Sequence, residues 1–167
     1  MGFYPLMFQL QDRRVLLVGG GAVALRKYRA LRETGARFTV VSPAFCPEFS
    51  ACDGLDCRKE PFSPRLLEGV VLAIAATDCR EVNAQVSAAC KERGILCCVC
   101  DSLEESDVIF PAVVSRGSLK LAVSTCGEDP ELAKAIKREL EEAYPQEEAG
   151  RVALAGKARR RRLGREE

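Results

Sequence analysis

Three consecutive glycines, Gly19 to Gly21, stand between the aliphatic run Val15-Leu16-Leu17-Val18 and an amphipathic stretch that begins at Ala22. Gly19, Gly21 and Ala24 fit G-x-G-x-x-G/A. Such a turn ends a strand tightly, lets backbone approach a pyrophosphate and packs the next helix closely on its strand. N–H groups at the start of that helix face the phosphates, so the chemistry indicated is nucleotide binding. An acid about 20 residues further on normally meets the adenosine ribose. Ser42-Pro43-Ala44 stands there instead, and a serine can bond a ribose hydroxyl without demanding NAD or excluding NADP. The chain has no histidine, so a proton acceptor near neutral pH must be a carboxylate, cysteine, tyrosine, lysine or the cofactor itself. Asp101 follows an apolar run and is expected just past the carboxyl end of a central strand, where open α/β sheets bind ligands. It could equally cap a loop. Among the nine cysteines, Cys97, Cys98 and Cys100 contain a C-x-x-C. On a strand Cys98 and Cys100 share one face and Cys97 takes the other, and no second pair lies at ligand spacing; no metal site is expected.

The elements that must position these residues alternate in type. Residues 13–19, 37–42, 70–77 and 95–100 read as strands, with a short one near 56–62; 22–35 and 80–94 read as helices stopped by Gly35 and Gly94. Ser63 and Pro64 are expected to cap and start a short helix. Thr77-Asp78 before the second long helix is good capping chemistry as well. Near-continuous apolar strands separated by helices predict a parallel sheet covered on both faces. From residue 111 the rhythm changes to two strands turning at Arg116-Gly117. A helix over 128–144 follows, with Asp129 as cap and Pro130 at its first position, and then a helical end over 146–162.

Lys and Arg number 25 against 24 Asp and Glu, a balance that indicates neither nucleic acid nor membrane as a partner. No apolar run approaches a membrane span and no signal-peptide pattern opens the chain, so the expected location is the cytoplasm. There the cysteines are reduced. Residues 151–167 hold seven basic side chains, Arg165 among them, against Glu166 and Glu167. This end reads either as a solvated, frayed terminus or as a cationic edge for a polyanion.

The stretches FYPLMFQLQDRRVLLVGGGAVALRK, LAIAATDCREVN and VCDSLEESDVIFPAVVSRGSLKLAVSTCGEDPELAKAIKREL closely resemble the precorrin-2 dehydrogenase/sirohydrochlorin ferrochelatase family, which includes the N-terminal part of siroheme synthase. The likeness runs in register from about residue 3 to 145. It implies NAD-dependent oxidation of precorrin-2 to sirohydrochlorin and, in some members, insertion of ferrous iron. It also implies a homodimer and three segments: an NAD-binding Rossmann domain (1–110), a hairpin-and-helix dimerisation region (111–145), and a truncated, helical, basic C-terminal segment (146–167). By the same resemblance, cofactor contacts fall on Gly19, Gly20, Gly21, Ala22 and Val23, on Ser42, Pro43 and Ala44, and on Ala76, Thr77 and Asp78. The catalytic acid falls on Asp101, as base or as orienting group. The substrate is a polycarboxylate. Arg116, Lys120, Lys134 and Arg138, with Ser124 and Thr125 of the turn between them, are therefore candidates to bind it, although each cation also reads as an ordinary solvated side chain.

Departures from the family pattern are specific. Cys126 stands where relatives carry glycine, Asp129 adds negative charge to the same turn, and Cys98 replaces an asparagine ahead of the acid. The rival reading from another class is an NAD(H)-binding sensor, which needs no carboxylate at position 101.

Overall fold

A computed structural model describes residues 2–52 and 54–164. Arg165 and the two glutamates of the basic end lie outside the described residues. The chain divides between Ile109 and Phe110 into two compact units. No helix among the described residues is long and apolar enough to cross a membrane.

In the first unit five strands form a parallel sheet in the order β3-β2-β1-β4-β5. They are β1 (Arg14–Val18), β2 (Arg37–Val41), β3 (Asp56–Arg58), β4 (Val70–Ala75) and β5 (Leu96–Val99). Helix α1 (Ala22–Leu31) joins β1 to β2, and α2 (Arg80–Arg93) joins β4 to β5. Four of five residues in β1 and five of six in β4 are buried, as expected for strands covered on both faces. Leu16, Val18, Val41, Ala73 and Val99 pack with Val86, Ala89 and Cys90 of α2 and with Leu67. By alternation Val15 and Leu17 face the other way, the side of α1, whose Tyr28 meets Phe38 edge-on at 5.3 Å between ring centres.

The expected elements form, with differences at their ends. Helix α1 stops at Leu31 and tightens into a 3₁₀ turn (Arg32–Thr34) before Gly35, whose φ of 74° closes it. A second 3₁₀ turn (Pro47–Ala51) was not anticipated; its Phe49 is buried beside Phe45. Pro64–Leu67 is likewise 3₁₀, and Ser63 makes no capping bond: its hydroxyl is buried without a partner among the described residues. The largest correction concerns β5, an edge strand rather than a central one. Side chains of the following loop complete its free edge: Cys97 N–H donates to Asp107 Oδ2 (3.0 Å) and Val99 N–H to Ser106 Oγ (2.9 Å). That satisfies donors an open edge leaves orphaned.

In the second unit β6 (Ala112–Arg116) and β7 (Leu119–Val123) form an antiparallel pair, followed by α3 (Pro130–Ala143) and α4 (Glu148–Arg162). Arg116 pairs with Leu119 inside the ladder, so the turn is Gly117-Ser118, one residue later than expected. Asp129 caps α3 as predicted, its Oδ1 accepting from Leu132 N–H at 2.9 Å. The turn before α3 holds Cys126 at φ 54°, a left-handed conformation in a non-glycine residue. A Cβ there costs about 1–2 kcal/mol, partly offset by the extra freedom glycine loses on folding. Cys126→Gly should therefore raise the unfolding free energy by about 0.5–1 kcal/mol, read as a higher urea midpoint at unchanged slope. A lower midpoint would show that the side chain contributes more packing than strain.

Candidate functional site

Neighbours β1 and β4 connect in opposite directions, one to β2 and the other to β5. A crevice opens at the carboxyl ends of two such strands, the switch point at which doubly wound sheets bind ligands. A cleft of about 870 Å³ lies there. Its walls include Gly19 to Val23 after β1, Ser42 to Ala44 after β2, Ala76 to Asp78 after β4, and Asp101 after β5. Every residue the sequence nominated in the first unit is thus brought to one place. Arg26 and Lys27 of α1, Phe45, Phe62 and Cys100 line it too; periodicity gave no reason to single these out.

The glycines have separate tasks. A Cβ on Gly19 (φ 128°) would sit 2.3 Å from the Ala76 carbonyl oxygen, and one on Gly20 2.0 Å from that of Ala44. Both positions exclude a side chain because backbone already fills the space. Gly21 is the opposite case: a Cβ there would meet nothing within 4 Å, so its backbone faces open cleft. Helix α1 begins at that point with no side-chain cap and no acid in its first turn. Its free N–H groups and the positive end of its dipole suit a phosphate, and the small Ala24 is fully buried beneath. These residues fit a dinucleotide.

The wall after β4 is fixed by a residue that sequence reasoning did not nominate. Asn83, in the first turns of α2, is fully buried. Its Oδ1 accepts from Thr77 N–H (3.1 Å) and from the Thr77 hydroxyl (2.7 Å), and its Nδ2 donates to the Thr77 carbonyl (3.1 Å). Thr77 Oγ1 in turn accepts from Cys79 N–H at 3.2 Å. The residue at the cap of α2 is Cys79, whose own side chain makes no capping bond. The expected Thr-Asp cap is thus replaced by a clasp from inside the helix. A polar residue among the apolar positions of a helix, six residues after a loop threonine, was the available signal.

Asp101 follows β5 directly, held by the bond from Cys100 N–H to the Ala75 carbonyl (2.9 Å). Its carboxylate is 38% exposed and stands 3.7 Å from the Arg80 guanidinium, which also pairs with Glu105. The hydrogen bond to Glu105, aided by the charges of Glu105 and Asp101, holds Arg80 still more firmly protonated than usual. The acid therefore reaches solvent and a cation together.

Five of the six candidates of the second unit are occupied within it. Arg116 donates to the carbonyls of Tyr144 (2.8 Å) and Glu141 (3.2 Å), closing the end of α3. Lys120 bonds Ser115, and Lys134 pairs with Glu131. Ser124 accepts from Cys126 N–H, and the Thr125 hydroxyl braces the Asp129 backbone. Arg138 is exposed with no ion pair among the described residues.

Residues 6–112 match the NAD(P)-binding family model. Siroheme synthase of Citrobacter koseri is 46% identical over 165 residues, covering 96% of this chain and 36% of that protein. Siroheme synthase 1 of Aeromonas salmonicida is 42% identical over 164 residues, covering 96% and 35%. The chain thus spans about a third of the length of these relatives. Among solved structures, the precorrin-2 dehydrogenase SirC superposes with a TM-score of 0.78 at 31% identity, covering 94% of this chain and 79% of that one.

Asn83→Ala removes three hydrogen bonds and leaves the Thr77 N–H without its partner. The expected loss is about 2–3 kcal/mol of stability, with weaker NAD binding measured by calorimetry at a temperature where the variant is folded. Unchanged affinity would show that the wall holds its shape without the clasp.

Proposed function

The chain belongs to the NAD(P)-binding family and, within it, to the precorrin-2 dehydrogenases, and from that premise we propose that it oxidises precorrin-2 to sirohydrochlorin in the cytoplasm, with NAD as the acceptor. The observation that carries this reading is that the glycine turn and Asp101 line one cleft at the switch point of the sheet. The backbone of Gly19 to Val23 would receive the pyrophosphate, Ser42 to Ala44 the adenosine ribose, and Ala76 to Asp78 the opposite wall of the cofactor. The bound nicotinamide supplies a two-electron acceptor for the hydride that the substrate gives up.

Removing two hydrogens from a carbon framework releases a proton as well as a hydride, and that proton needs a base. We assign it to the Asp101 carboxylate, which is in the cleft, open to solvent and next to Arg80. Arg80 steadies the carboxylate and reduces its repulsion of a polycarboxylate substrate. In the second unit Arg138 is exposed and has no ion pair among the described residues, which leaves its guanidinium open to an anion; Arg116 serves α3 instead. Ferrous iron enters this reading only as a further substrate, with the same carboxylate collecting pyrrole protons during insertion. The homodimer belongs to the reading too. Helix α3 packs on the β6–β7 pair, which still leaves Val113 43% exposed with Ala122 opposite it, a face suited to a second copy.

With precorrin-2 and NAD, the purified chain should generate sirohydrochlorin absorbance and NADH in equal amounts. NAD binding without turnover would establish the sensor instead. Asp101→Asn should lower kcat by about 10²–10⁴-fold while the Kd for NAD stays within error, and an unaffected rate would remove Asp101 from the chemistry. Sirohydrochlorin and ferrous iron incubated with and without protein test insertion separately; equal rates mean that the chain does not catalyse it.

A further inference from the structure

A second cavity, of about 710 Å³, opens at the end of the sheet away from the nucleotide cleft. Arg14 and Arg37 are the first residues of β1 and β2. Strand β3 pairs only with Thr39 to Val41, so the start of β2 has no strand beside it on that edge. The cavity lies along this gap, with Gly54 and Leu55 ahead of β3 and Tyr28 of α1 in its wall. It shares no residue with the nucleotide cleft.

Four guanidiniums line it, those of Arg14, Arg32, Arg37 and Arg58, against one carboxylate among the described residues, that of Asp56. Asp56 is already satisfied. Arg58 donates to it through Nε at 3.0 Å and pairs through Nη2 at 2.8 Å, and the Thr39 hydroxyl donates at 3.2 Å. The Arg58 bond above all holds that carboxyl below the usual range. Arg37 reaches only Asp12, at 3.4 Å, and both side chains are largely exposed, where an ion pair contributes little. The guanidiniums of Arg14 and Arg32 have no hydrogen bond or ion pair among the described residues. Arg14 runs beside Gly69, whose Cβ, if present, would lie 3.4 Å from its Nη1, so no side chain of that residue covers it. Arg14 and Arg37 are also register partners on neighbouring strands and share a face. Like charges so placed destabilise a sheet, and nothing in the proposed oxidation requires them.

We propose that this cavity binds a small organic phosphate, with Arg14, Arg32 and Arg37 as its ligands, at a site separate from the nucleotide cleft. A phosphate group brings three acceptor oxygens and nearly two negative charges, and guanidiniums meet such oxygens in bidentate pairs. A single carboxylate would offer one charge to three cations. The volume falls within the range of about 300–1,000 Å³ typical of small-molecule sites, which leaves room for an organic body as well. Tyr28 and Phe38, both nearly buried, and Leu55 supply apolar wall for that body. The site stands whether or not the other cleft binds NAD.

The probe is inorganic pyrophosphate, titrated into the full chain at about 0.15 M salt and followed by calorimetry, with citrate as the carboxylate counterpart. Binding should be saturable. Arg14→Gln and Arg32→Gln should each weaken it about tenfold or more, as expected for losing a hydrogen bond between charged groups. The component lost in those variants should survive Arg26→Gln, which alters the nucleotide cleft. Dependence on Arg26 alone would put the anion at the glycine turn and overturn the site. Without anion, Arg14→Gln should raise the urea midpoint, because one of two facing cations is gone. A lower midpoint would make Arg14 a support of the fold and remove it from the ligand set. Citrate bound more tightly than pyrophosphate overturns the phosphate assignment, and no saturable binding by the unaltered chain overturns the site itself.

Discussion

A carbon atom added at Gly19 would lie 2.3 Å from the Ala76 carbonyl oxygen, and one added at Gly20 2.0 Å from that of Ala44. The turn after β1 is thus pressed against the turn after β4 on one side and the turn after β2 on the other. Backbone bonds hold the three together: Gly19 N–H to Val41, Cys46 N–H to Gly20 and Ala76 N–H to Val18. Van der Waals exclusion at two glycines therefore sets how near three strand ends converge. That convergence leaves the third glycine, Gly21, as the one with an open face. A pyrophosphate turn needs both conditions: neighbours too close for a side chain, and one peptide with nothing in front of it.

Positions more distant from the glycines are fixed by side chains acting as backbone partners. Asn83 reaches back from α2 to hold Thr77, and Ser106 and Asp107 complete the edge of β5. Each supplies a bond that a neighbouring strand or a helical turn would otherwise supply. Edge protection and site placement are the same event at β5, because the loop that covers the edge is the loop that starts with Asp101. The acid sits at the rim of the first unit because the sheet ends there.

The order of the elements was legible because it depends on period and punctuation, which are local. Aliphatic runs gave β1 and β4, Gly35 and Gly94 gave the helix stops, and Asp129 gave the start of α3. The cleft was legible through the glycine spacing and, for Ala76 to Asp78 and Asp101, through family resemblance. What could not be read was set by tertiary partners. Strand order put β5 at the edge although its sequence is as apolar as an inner strand. Ser63 lost its cap because the turn that formed was 3₁₀. Arg116 is consumed by carbonyls twenty-five and twenty-eight residues away, a pairing no spacing rule reveals. Arg26 and Lys27 on α1 line the cleft, and Arg80 at the start of α2 pairs with Asp101 at its wall, relations that no sequence spacing reveals.

Those three cations give the cleft a polarity that its composition does not suggest. Arg26 and Lys27 lie beside the uncapped start of α1, so positive charge gathers where phosphate would rest. Asp78 and Asp101 occupy the far wall. A negative ligand of any extent must then cross from an attractive end to a repulsive one, and Coulomb repulsion at an effective dielectric near 20 is about 4 kcal/mol for unit charges 4 Å apart. Arg80 is what moderates that barrier. Shared between Glu105 and Asp101, it neutralises part of the far wall without covering the Asp101 carboxylate, which stays 38% exposed. On the proposed chemistry the two carboxylates bridged by Arg80 differ in task. Glu105 anchors the guanidinium, and Asp101, at the looser 3.7 Å, keeps a lone pair available to a proton. A tighter pair would silence the base, and no pair would leave a polycarboxylate facing bare negative charge.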